Sequence, residues 1–150
     1  MTVSLTADTT LTVAAHAGRI LLCNDADGKF TLPSINVNAN GATSGDNDFN
    51  NLNNIGATFT FFVETAATDM DIKTDGTDKF KGAIMIGVDD GSKKAFVPGA
   101  TNDVITMNGS TKGGIVGSVV SFTAIDTATY MVHNSLLIGS GTIVTPYADA

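Results

Sequence analysis

The sequence predicts an all-β protein: an antiparallel β-sandwich, jelly-roll-like or β-barrel domain of about 8–10 short strands. Three observations predict it. Helix formers are scarce, with Glu64 the single glutamate and no glutamine in 150 residues. The apolar segments are rich in Thr, Val, Ile and Phe and alternate with period two, which suits a pleated surface with one buried face. Asx-Gly dipeptides punctuate those segments at Asp27-Gly28, Asn40-Gly41, Asp75-Gly76, Asp90-Gly91 and Asn108-Gly109. Such pairs supply the positive φ of tight hairpin turns.

Taken along the chain, "TLTVAA" (10–15) aligns Leu11 and Val13 and reads as a strand. Cys23 follows Leu21-Leu22 in a second strand and reads as a buried, inert thiol. "TFTFFVE" (58–64) points Phe59, Phe61 and Val63 one way and Thr58, Thr60 and Glu64 the other. Phe62 breaks that alternation and predicts a second buried contact. "AIMIGV" (83–88) aligns Ile84, Ile86 and Val88, and "VVSFTA" (119–124) aligns Val120 and Phe122. Tyr130 and Val132 alternate with Met131 and His133. "DVITMN" reads as a strand, "NGSTKGG" as its turn, and "IVGSVVSFTAI" as the returning strand. No break divides the chain, so residues 1–150 form one β-rich domain with an N-terminal arm at 1–8 and a polar, Asn-rich loop at 36–54.

Composition excludes several functions. Apolar residues make up 43% and charged residues 15%, which is not a disordered composition. The net charge is −7 and Arg19 is the lone arginine, so the basic cluster that displaces counterions from nucleic acid is missing. No apolar run approaches the roughly 20 residues of a membrane helix. The first residues lack the basic and apolar regions of a secretory signal, and the single cysteine allows no internal disulfide. The expectation is a protein made and folded in a cytoplasm, without direct nucleic-acid or membrane contact.

A phosphate loop needs G-x-x-x-x-G-K-[ST] between a strand and a helix. Here Lys112 precedes the glycine pair and a strand pattern follows. An EF-hand loop counted from Asp69 needs an oxygen ligand fifth and a glutamate twelfth, but those positions hold Lys73 and Phe80. Counted from Asp25, the twelfth is Asn36. A nucleophilic site needs a base and an orienting acid around Ser or Cys. His16 sits in a turn and His133 in a strand, with no nucleophile elbow. No catalytic residue, cofactor or metal is expected.

Four stretches carry a resemblance: "LTVAAHAGRILLCNDADGKFTLP" (11–33), "IKTDGTDKFKGAI" (72–84), "NDVITMNGSTKGGIVGSVVSFTAI" (102–125) and the ending "MVHNSLLIGSGTIVTPYADA". Their order resembles small structural proteins of tailed bacteriophages, marine and cyanobacterial ones especially. The resemblance implies a capsid decoration, or cement, protein. Such a protein sits on the outside of the expanded head, commonly as a homotrimer at local three-fold positions. Its partner is the major capsid protein, and it bridges capsid subunits against the pressure of packed DNA. The expected location is the virion surface. Contact candidates are Val3 and Leu5 in the N-terminal arm, through strand addition. Phe49 and Leu52 in the polar loop are next, then Pro146 and Tyr147 near the C-terminus, tyrosine being enriched at interface cores. The alternative is a carbohydrate- or receptor-binding module of a phage tail fibre or surface adhesin. It is weakened by the lack of tryptophan and by the presence of just two tyrosines, Tyr130 and Tyr147.

Overall fold

The computed structural model describes residues 1–35 and 54–150. Apart from Asn54, the polar loop expected at 36–54, with Phe49 and Leu52, lies outside the described residues. In chain order the strands are β1 (Thr2–Leu5), β2 (Thr9–Thr10), β3 (Ile20–Cys23), β4 (Lys29–Thr31), β5 (Thr58–Val63), β6 (Met70–Lys73) and β7 (Lys79–Lys81). Then come β8 (Ile84–Gly87), β9 (Lys93–Phe96), β10 (Val104–Met107), β11 (Val119–Ala124), β12 (Thr129–Ile138) and β13 (Tyr147–Ala148). One helical turn, α1 (Val13–His16), stands between β2 and β3.

The strands form two sheets in a sandwich-like arrangement. The eight-stranded sheet runs β1-β3-β5-β11-β12-β8-β9, with β7 also on β12. The five-stranded sheet runs β13-β10-β6-β4-β2. The all-β expectation holds, but the pairing is mixed rather than antiparallel, and the strands exceed the expected number. From β1 to β6 the chain alternates between sheets. It therefore re-enters each sheet running in the same direction, and β1-β3-β5 and β2-β4-β6 pair in parallel. Antiparallel ladders join β5 to β11, β11 to β12 and β8 to β9 in one sheet, and β6 to β10 and β10 to β13 in the other. The extra strands include the two-residue β2 and β13, too short to show any alternation.

Two other expectations change. "TLTVAA" is not a strand. Thr12 Oγ1 accepts from Ala15 N at 3.3 Å, and His16 Nδ1 accepts from Thr12 N at 2.9 Å. These bonds wind the segment into a capped helical turn, although Leu11 is buried as its apolarity demands. The stretch "NGSTKGG" is a turn, but it does not return β10 onto β11. β10 lies in the five-stranded sheet and β11 in the other, so the turn carries the chain across the sandwich.

Inward residues meet in ladders. Leu21, Phe61 and Val120 are in register across β3, β5 and β11. Phe30, Ile72, Ile105 and Tyr147 are in register across β4, β6, β10 and β13. Rings join the two layers. Phe30 lies 6.3 Å from Phe61, Phe61 5.7 Å from Phe122, Phe122 5.1 Å from Phe80, and Phe80 6.4 Å from Tyr147. Aromatic contacts of this spacing add to the stabilisation from area burial.

Candidate functional site

The four described contact residues expected from the sequence, Val3, Leu5, Pro146 and Tyr147, do not form an exposed surface. Leu5 and Tyr147 are 3% and 7% exposed, and Pro146 is buried with them. Val3 is half-buried and packs on the core. The Tyr147 hydroxyl donates to Gly82 O at 2.5 Å. These side chains lie inside the protomer because β1 and β13 add to its own sheets, so their apolar groups face its own core. Phe49 and Leu52 lie outside the described residues.

The motifs weighed for chemistry are locally engaged. In the glycine loop, Asn108 Oδ1 accepts from Ser110 N and Lys112 N, both at 2.9 Å. The amides that could hold a phosphate thus bind a carboxamide. Between Asp69 and Asp71, the place a cation would take holds the Lys29 ammonium, at 3.0 and 3.1 Å. Asp75 accepts from Ser34 Oγ at 2.7 Å and from Thr77 N and Asp78 N. Its partial burial is outweighed by those donors, and its carboxyl is held below the ordinary value. Asp78 accepts from Ile35 N at 2.8 Å, and its burial pushes its carboxyl up. Asn54 donates to Ser34 O at 2.7 Å, so both flanks of the 36–53 segment are tied at one place. His133 Nε2 bonds Thr123 Oγ1 at 2.7 Å. Cys23 is buried, which pushes its thiol up to about 12 and leaves it protonated. Among the described residues no three His, Cys, Asp or Glu side chains converge as metal ligands, and no aromatic ring is exposed.

Two surface features remain, and sequence reading found one of them only in part. The first is an edge. Sheet edges are normally guarded by charge, proline or brevity. β9 carries Lys93 and Lys94, β2 and β13 have two residues each, and Pro146 precedes β13. β1, with sequence TVSL, has none of these guards. Met1 O and Leu5 O accept from Ile20 N and Asn24 N of the β3 segment. Backbone groups alternate sides along a strand, so Thr2 and Ser4 direct their N–H and C=O groups away from β3, along an edge that is open among the described residues.

The second feature is the outer face of the eight-stranded sheet. Its registers align Ala95, Met85, Leu136, Val119, Phe62 and Leu22 in one row across β9, β8, β12, β11, β5 and β3. All six are half-buried or exposed, Leu136 at 49% and Met85 at 39%. Phe62, the residue that broke alternation in the sequence, belongs to this row. The rows on one side carry hydroxyl pairs, Thr60 Oγ1 to Ser121 Oγ at 2.9 Å and Thr58 Oγ1 to Thr123 Oγ1 at 2.7 Å, with the exposed Ile20 and Met131 in the same rows. A groove of about 470 Å³ opens beside Leu136, lined by Val88, Ile115 and Ile138. The row was invisible in the sequence because its members come from six strands.

Comparison with protein-family models, curated proteins and solved structures returns no match to this chain.

Proposed function

We propose that this chain is a non-enzymatic structural protein of a tailed-phage particle, which binds the outer surface of the expanded capsid and bridges its subunits. The reading begins from the resemblance in the four sequence stretches. The structural observation that carries it is the open β1 edge. An extended segment of the major capsid protein added there would gain hydrogen bonds from Thr2 and Ser4, and main-chain pairing of this kind supplies affinity without a deep pocket. Each contact is small. The three-fold grouping that the resemblance implies would let several copies engage the lattice together and multiply the effective affinity. A net charge of −7 suits a place outside the shell, away from packed DNA.

The first test is copy number in purified particles, measured by mass spectrometry against the major capsid protein. A ratio near one copy per capsid subunit is expected. A handful of copies per particle would move the chain to the tail, and absence from the particle would overturn the proposal. The second test is Thr2→Pro, which removes an edge-facing N–H without touching the ladder to β3. Capsid binding should fall at least tenfold with the melting temperature unchanged. Undiminished binding would discard the β1 edge as the contact.

A further inference from the structure

We infer that two copies of this chain pair face to face through the outer surface of the eight-stranded sheet, about a two-fold axis lying along β12. The inference concerns self-association alone and stands whether or not a capsid is the partner. It starts from how charge is distributed. The molecule carries 15 acidic residues and is strongly negative. Yet among the described residues the outward positions within this sheet's strands hold no carboxylate, Lys81 and Lys93 stand at its β7–β9 end, and the carboxylates nearest the apolar row are Glu64, just after β5, and Asp89, beside Leu136 in the groove. Like-charge repulsion between copies is therefore reduced across the middle of this face.

Register then selects the second copy. Next to the apolar row lies the row Lys93–Gly87–Ile138. On the far side of β12 the pairing extends beyond the start of β11, where Val63 N donates to Ser118 O and Gly117 N to Val63 O at 2.9 Å each, and Glu64 follows Val63 with its Oε2 accepting from Asn24 Nδ2 at 2.6 Å. Lys93 lies two strand positions to one side of β12 and Glu64 two positions to the other. A two-fold along β12 keeps each row over itself and exchanges its ends. Leu136 then meets the partner's Leu136, Met85 meets the partner's Val119, and Ala95 meets the partner's Phe62. In the neighbouring row Lys93 meets the partner's Glu64, and by symmetry this happens twice. The same operation that closes the apolar row also pairs opposite charges. Closed, self-complementary contact is the rule for two-fold dimers.

The overlap spans the strands from β9 to β5 and leaves β1 outside, so a pair would still present two open β1 edges. At strand spacings of about 4.8 Å the overlap covers about 400 Å² of sheet per copy. That is below the standard interface size, so the dimer belongs in the concentrated regime.

Sedimentation equilibrium of the full chain, carried to millimolar concentration, tests this. A monomer–dimer equilibrium is expected, weakened by salt. Leu136→Asp, at a position 49% exposed, should abolish the dimer without lowering the melting temperature. Lys93→Glu and Glu64→Lys should each weaken it about tenfold, and the double variant K93E/E64K should restore it. A chain that stays monomeric throughout, one that forms trimers, or a dimer indifferent to Leu136→Asp would overturn the inference. So would weak single variants with no recovery in the double variant.

Discussion

Tyr147 shows how far one side chain can be misread from sequence. Near the end of the chain and one residue after Pro146, it reads from the sequence as a contact for a partner. In the structure its ring joins the aromatic path at Phe80, and its hydroxyl is tied to Gly82 O. Tyr147→Phe should cost about 1–2 kcal/mol, the usual loss when a buried carbonyl is left without its donor; chemical denaturation measures it. Gly82 is constrained from the other side. Its φ is 118°, and a Cβ there would run into Val132 O. Gly82→Ala should therefore be the more damaging change, by more than about 2 kcal/mol. Other single-residue readings were legible in part. Cys23 is buried as its apolar neighbours imply, whereas Phe62, expected in a second buried contact, is only half-buried because it faces outward from β5.

The strands tell a different story. Period-two alternation correctly assigned the buried faces of β5, β8, β11 and β12. It could not name their neighbours, since alternation records which side faces the core and not what lies alongside. Turn chemistry has the same gap. Asp90-Gly91 does close the β8–β9 hairpin, whereas Asp27-Gly28, Asp75-Gly76 and Asn108-Gly109 send the chain to the opposite sheet. The β11–β12 hairpin turns without an Asx-Gly pair, using Asp126 Oδ1 to accept from Ala128 N at 2.9 Å. Lys29 on β4 secures the parallel β4–β6 pair through Asp69 and Asp71. Its side chain is 29% exposed, so solvent screens the pair. Lys29→Met should lower stability by only about 1 kcal/mol at low salt and less at 1 M salt, which salt-dependent melting would show.

The assembled sandwich buries three weak acids at once, and this sets its response to alkali. Burial pushes the Cys23 thiol from near 9 up to about 12 and raises Tyr147. Tyr130 is raised by burial first and then by the nearby Asp78 and Asp75 carboxylates. The unfolded chain ionises these groups at their ordinary values while the folded chain keeps its protons. Stability should therefore be complete below about pH 9 and fall as pH rises through 9 to 12, by about 1.4 kcal/mol per pH unit for each group that the unfolded chain alone has ionised. Urea unfolding across that range would measure the slope, and Cys23→Ala should flatten its beginning near pH 9. An unchanged slope in that variant would show that the thiol does not contribute.

The all-β class and the buried faces were legible in the sequence alone, because composition and parity are local quantities. Parallel pairing, the open β1 edge and the apolar row centred on Leu136 arise only from long-range register. β1 meets β3 across 18 residues of chain, Thr2 opposite Ile20, while the row gathers residues from Leu22 to Leu136. No local pattern encodes such meetings, because they follow from which strands share a sheet, and that is settled by burying all the inward faces together in one core.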